Sequence, residues 1–164
     1  TIFDLFLEFY SELEKRGYKC LSKVENATID NIVHGGPKLR KQYPQFSFKK
    51  SDGLQITIGC DYDDWFYFGL ISKENKLLDA KKINEFIKTN QEYEQNCYVD
   101  KEWIFNKYFD VPDEISINIW NFEHNGTFRI IKPDTRKETI NRYLDDMEDF
   151  LYNKMNIFQF AKTK

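Results

Sequence analysis

The sequence is short of the residues that staple, ligate and break chains. Cysteine occurs three times in 164 residues, at Cys20, Cys60 and Cys97. An odd number at wide spacing excludes a disulfide framework and fits a reducing compartment. The two histidines, His34 and His124, lie far apart, and no HxxxH or CxxC pattern offers a zinc ligand set. Neither a GxSxG elbow nor a phosphate-cradling GxGxxG or GxxxxGK[ST] loop occurs. The glycines of His34-Gly35-Gly36-Pro37 read as loop geometry. No apolar run approaches the roughly eighteen residues that cross a bilayer. The chain does not open on a basic stretch followed by a short apolar run and a small-residue cleavage site. We therefore expect a cytoplasmic protein with no membrane association. Without a secretion signal, the glycosylation patterns at Asn26 and Asn125 read as chance. One-sided charge is lacking too: the net is −3, which fits neither a generic DNA binder nor an acidic DNA mimic.

What the chain has is aromatic surface. Phe, Tyr and Trp make up 17% of it, with 15 Phe and 10 Tyr, ample apolar area for one core in a chain of this length. We read residues 1–164 as a single α+β domain: an antiparallel sheet of about five strands, a meander plus a hairpin. Amphipathic helices at both ends and two short helices pack on it.

Periodicity places the elements. Ile2, Leu5, Phe6, Phe9 and Leu13 share one helical face, and Gly17 is a natural stop. Tyr18–Leu21 suits a short strand, and most of residues 23–44 reads as a long loop. Phe46-Ser47-Phe48 alternates, Ser51-Asp52-Gly53 signals a hairpin, and Leu54, Ile56, Ile58 and Cys60 line one strand face. Cys60 is thus a core residue. Trp65–Ile71 is apolar on both faces and reads as a central strand, with Gly69 marking a bulge or a close neighbour.

Asp79 and Asp100 each look like a helix N-cap, the second predicting a helix through Trp103 and Tyr108. The polar segment 90–96 between them reads as loop. Ile115, Ile117 and Ile119 alternate toward a second hairpin at Asn125-Gly126, with Phe128 and Ile130 returning. Thr135-Arg136-Lys137-Glu138 spells a capping box for the last helix, whose acidic residues fall mostly on its outer face.

Two residue sets carry candidate chemistry. Lys38, Arg40, Lys41, Lys49 and Lys50 interleave with Tyr43, Phe46 and Phe48. Cations could neutralise phosphates there while an aromatic stacks on a base. The other set is Asp61 and Asp64 followed by Glu74-Asn75-Lys76, an E-x-K in which the acids would hold Mg²⁺ and Lys76 would orient the attacking water. That set defines an alternative reading as a metal-dependent nuclease. The leading reading needs no cofactor: a non-enzymatic domain that binds a protein or nucleic acid through the 23–44 loop and the adjoining sheet edge.

Several segments together resemble a known group. Trp65-Phe66-Tyr67-Phe68-Gly69-Leu70 is followed by Trp103-Ile104-Phe105-Asn106-Lys107-Tyr108-Phe109. Trp120-Asn121-Phe122 comes next, and then a closing helix that opens at Thr135-Arg136-Lys137-Glu138. This order, over about residues 45–155, resembles the C-terminal, non-catalytic portion of a bacterial group within the PD-(D/E)XK nuclease superfamily. The resemblance implies nucleic-acid processing in phage or mobile-element biology. The catalytic D…ExK of that group lies upstream of the matching portion, so no catalytic residue carries over.

Overall fold

A computed structural model describes residues 2–30, 43–61, 65–119, 127 and 129–163. Helix α1, Ile2–Lys15, buries the predicted face of Ile2, Leu5, Phe6, Phe9 and Leu13. Gly17 ends it with φ +89°, which lets the Tyr18 N–H reach Leu13 O at 3.0 Å and its own N–H reach Glu14 O at 3.0 Å. These two bonds form a Schellman motif, and a left-handed residue closes it without Cβ strain.

Strands β1 (Lys19–Ser22), β2 (Gln45–Lys49), β3 (Gln55–Cys60), β4 (Phe66–Ile71) and β5 (Trp103–Tyr108) form one antiparallel sheet in chain order. A short helix α2, Asn26–Asp30, follows β1, inside the stretch expected to be loop. Between β4 and β5 come a 3₁₀ turn, Ser72–Glu74, and helices α3 (Ala80–Thr89) and α4 (Gln91–Asn96). The last helix, α5, spans Pro133–Glu148 and runs into a π-helical turn, Asp149–Lys154.

The helices share one side of the sheet. Phe6 and Phe9 of α1 meet Phe46 and Phe66, Tyr143 of α5 meets Phe66 and Phe109, and Phe150 meets Phe68 and Phe105. Centroid separations of 4.9–6.3 Å are those of interlocking rings. Buried tyrosine hydroxyls accept N–H groups from the segments crossing this core. Tyr10 accepts from Val24 at 2.9 Å, and Tyr143 from Ile117 at 2.7 Å. The end of the chain is tied back, with Asp79 N–H on Phe160 O at 2.8 Å and Lys162 N–H on Leu77 O at 2.7 Å.

The α+β class and the five-stranded antiparallel sheet are as expected, but one strand is not the one predicted. Residues 103–108 form β5 and not a helix. Asp100 does cap a turn, accepting from Glu102 N and Trp103 N at 2.8 Å, yet that turn feeds a strand. Trp-Ile-Phe-Asn-Lys-Tyr has the bulky, alternating character a pleat favours, and β4 supplies the partner edge. Conversely, residues 91–96 form α4 where a loop was expected.

The second hairpin is absent among the described residues. Ile117 and Ile119 are buried, but Asn118 meets Trp65 in an isolated bridge and the Thr127 side chain through its own N and O, while Thr127 and Arg129 are helical. Asn125-Gly126, Trp120–Phe122 and Phe128 lie outside the described residues. The capping box at Thr135 is also displaced. Helix α5 starts earlier, with Pro133 as its first residue, and Glu138 pairs with Arg129 at 3.1 Å. A proline has no N–H to satisfy, so it outcompetes the box as the start.

The central strand is β3, not β4, and only β3 is buried on both faces almost throughout. Strand β4 turns Phe66, Phe68 and Leu70 to the helices but leaves Tyr67 and Ile71 half-buried on the opposite face. Gly69 marks a close neighbour as expected, since a Cβ there would stand 2.5 Å from Phe105 O. A bulge follows it between Leu70 and Ile71.

Candidate interaction face

The pleat determines what the sheet presents on the side away from α1 and α5. Register pairs Gly59 with Tyr67 and Tyr67 with Tyr108, and in the next row Thr57 with Gly69 and Gly69 with Asn106. Since alternate residues share a face, Gln45, Gly59, Tyr67 and Tyr108 form one row across four strands. The Tyr67 ring lies across Gly59: a Cβ there would be 2.7 Å from the phenol oxygen, which itself reaches Gln45 Oε1 at 3.5 Å. Glycine at 59 is what allows the ring to lie flat. Burial, reinforced by the Cys60 thiol and Asp61, pushes the Tyr67 phenol up to about 12.

Further aromatics complete the surface. Trp103 stands edge-on to Tyr67 at 5.7 Å, and Tyr98 edge-on to Tyr108 at 6.4 Å. Tyr98 is carried by a one-residue bridge to Asn106 that covers part of the β5 edge. Tyr43, Asp61, Tyr67, Tyr98, Trp103 and Tyr108 line a cavity of about 280 Å³. Tyr43, Tyr98 and Tyr108 are 43%, 59% and 42% exposed, so these rings present area to solvent and are not core. The Asp61 carboxylate accepts from Trp65 N at 3.1 Å and from the Tyr108 hydroxyl.

The cationic set divides. Lys38, Arg40 and Lys41 lie outside the described residues. Tyr43 lines the cavity, and Lys49 alternates with Gln45 and Ser47, which places it on the same outer face. Lys50 is committed elsewhere. Its Nζ lies 3.7 Å from Glu148 Oε2, 4.9 Å from the Tyr18 ring centre and 5.7 Å from that of Tyr152. It therefore leaves the interaction set.

The nuclease set is not brought together. Asp61 follows the end of β3, whereas Glu74 and Lys76 follow the far end of β4. At about 3.3 Å per residue, the strand between holds Asp61 and Glu74 roughly 20 Å apart. Asp64 lies outside the described residues. Among those described, no three His, Cys, Asp or Glu side chains cluster as metal ligands do. Asn75, between the two, is a structural residue: its amide clamps Gln55 N and O and Ile71 O at 2.9–3.1 Å. Nor is the acidic face of α5 a free surface. Asp145 pairs with Arg16 at 2.8 Å, Glu148 also holds Arg16, and Asp149 lies 3.9 Å from Lys154.

Tyr67, Tyr98, Trp103 and Tyr108 are the residues that sequence reasoning missed, because aromatic richness reads as core. The available signal was the alternation of Phe105 and Lys107 against Asn106 and Tyr108, a strand's period; the bulge opposite Leu70 and Ile71 then puts Trp103 on the side of Tyr108. No helix among the described residues is long and apolar enough to cross a membrane. No family model matches the chain, and no curated protein or solved structure matches it. The resemblance to the nuclease group therefore rests on the residues quoted for it.

Proposed function

We propose that this chain is a non-enzymatic binding domain whose outer sheet face, centred on Tyr67, Trp103 and Tyr108, takes single-stranded nucleic acid. The observation that carries the reading is this group of part-exposed rings around an open cavity on one sheet face. Ring faces stack on bases of any sequence, and each stacked base is worth about 1–3 kcal/mol. The amides of Gln45 and Asn106 and the hydroxyl of Tyr67 supply hydrogen-bonding groups beside the rings. Lys49 lies on the same face, and Lys38, Arg40 and Lys41 stand just ahead of Tyr43 in the chain, which favours a polyanion over an apolar peptide.

The test is fluorescence anisotropy with labelled single-stranded DNA and RNA at low salt, with duplex as competitor. We expect single strands to bind, duplex to compete poorly, and Trp103→Ala or Tyr108→Ala to weaken binding by about tenfold each. Unchanged affinity in both variants would overturn the reading, as would no binding by the folded protein. A parallel incubation of plasmid and single strands with Mg²⁺ or Mn²⁺ addresses the nuclease alternative. Cleavage lost in Glu74→Ala would favour that alternative over a purely binding role.

A further inference from the structure

At the edge of β5, sharing Tyr98 and Tyr108 with the first, a second cavity of about 250 Å³ opens beside Tyr93, Lys107, Phe109, Asp110, Asp146 and Phe150. It is built around a buried cation. Lys107 points inward from a strand, its neighbour in register is Phe68, and the residue is only 6% exposed. Its ammonium makes one hydrogen bond, to Tyr108 O at 3.0 Å. The Phe150 and Phe68 ring centres lie 4.7 Å and 5.3 Å away. Among the described residues no carboxylate oxygen comes within 4.0 Å of it. An ammonium carries three donors, so two of them have no protein acceptor among the described residues.

The opposite wall is acidic. Asp146 is half-buried on α5, and its Oδ2 accepts from Asp110 N at 2.9 Å. Lys107 and Asp146 interact through space without touching, so a group seated between them could contact both. The π-helical turn that continues α5 carries both Phe150 and Lys154 to the cavity wall. Turns of this kind recur at functional sites.

We propose that this cavity binds a small zwitterion, a free amino acid, with its carboxylate on Lys107 and its amino group between Asp146 and Asp110. A dianionic phosphate would find Lys107 and Lys154 on the walls, the latter 3.9 Å from Asp149, against Asp146, Asp110 and Glu92, and is disfavoured by the excess of like charge. A simple amine would face the Lys107 ammonium. Only a molecule carrying both charges a few bonds apart meets a partner at each end. The aromatic walls suit an apolar or aromatic side chain. The volume lies just under the span of about 300–1,000 Å³ usual for drug-sized ligands, which argues for a compact ligand.

The experiment is an NMR titration of the ¹⁵N-labelled protein with free amino acids, with propionate and propylamine as half-ligands. We expect amino acids to shift the amide signals of Lys107, Asp110 and Phe150 at concentrations where neither half-ligand does. Lys107→Met should keep the fold, since methionine fills the space among Phe68 and Phe150 without a buried charge. It should weaken binding by about tenfold or more, the worth of a charge-assisted hydrogen bond. Asp146→Asn, which still accepts from Asp110 N, should weaken binding of the amino acid in the same direction. The proposal falls if either half-ligand binds as well as the amino acid. It also falls if the panel leaves these signals unmoved, or if Lys107→Met binds like the parent.

Discussion

Gly69 and Gly59 both sit under neighbours, yet they are constrained by different things. At Gly69 an added Cβ meets the backbone, Phe105 O at 2.5 Å, which β5 holds in register. At Gly59 the nearest atom is the phenol end of Tyr67, at 2.7 Å, which can swing away, although Pro44 O follows at 3.0 Å. Gly69→Ala should therefore destabilise the fold by about 3 kcal/mol, read by urea denaturation. Gly59→Ala should lose less stability but lift Tyr67 off the sheet and lower oligonucleotide affinity. Equal stability losses would show that the Tyr67 ring is as fixed as the backbone.

Lys107 allows a sharper prediction, because burial holds its ammonium below the ordinary value of 10.5. Asp146, the Cys97 thiol and Asp110 oppose that shift, and Lys154 adds to it. Between the depressed folded value and 10.5 the unfolded chain binds more protons than the folded one, so this group makes stability rise with pH across that window. At neutral pH, Lys107→Met should be more stable than the parent by about 1 kcal/mol or more. The gap should narrow as pH climbs through the folded value toward 10.5. Denaturation midpoints at a series of pH values check this, and a gap that widens on the alkaline side would contradict it.

At the scale of elements, the sequence was most legible where one local signal sufficed. Helix α1, its Gly17 stop, the Ser51-Asp52-Gly53 hairpin and the Asp79 cap, which accepts Lys82 N at 3.2 Å, were all readable from spacing. It was least legible where a cap motif and a strand period overlapped. Asp100 forms the same bonds at the head of β5 as at the head of a helix, and only pairing with β4 decides between them. The interaction face was hidden for a related reason. Tyr67 and Phe68 are neighbours in the chain, and their opposite fates depend on which side the helices cover. Lys107 was invisible as a site residue because nothing local shows that its strand faces the core.

The seam between α1 and α5 rests on Arg16, which bonds Asn141 Oδ1 at 2.9 Å, pairs with Asp145 at 2.8 Å and holds Glu148. Glu148 also accepts from Tyr18 at 3.1 Å. Arg16→Ala should cost about 1–3 kcal/mol, more than an exposed ion pair is worth, because it leaves part-buried acceptors unmatched. A double-mutant cycle with Glu148→Ala should return a coupling of about 1 kcal/mol. A coupling near zero would mean that packing alone carries the seam.

Over the whole molecule, a net charge of −3 sets the kind of nucleic-acid binding to expect. Asp145 and Glu148 of α5 are tied to Arg16, Asp149 of the turn after it lies by Lys154, and Lys50 is spent on Glu148. Among the described residues Lys49 lies on the outer face, and the run Lys38, Arg40 and Lys41 precedes Tyr43 in the chain. Four phosphate contacts on a single strand give a slope of log affinity against log salt of about −3, since each contributes about −0.7. Stacking on Trp103 and Tyr108 adds affinity that salt does not screen. Lys49→Ala should therefore flatten the slope by about 0.7, whereas Trp103→Ala should lower the whole line without tilting it. A steep slope indifferent to Trp103 would reduce the interaction to non-specific charge attraction. A flat line lowered by Trp103→Ala would instead leave the rings as the binding surface and remove the phosphates from the contact.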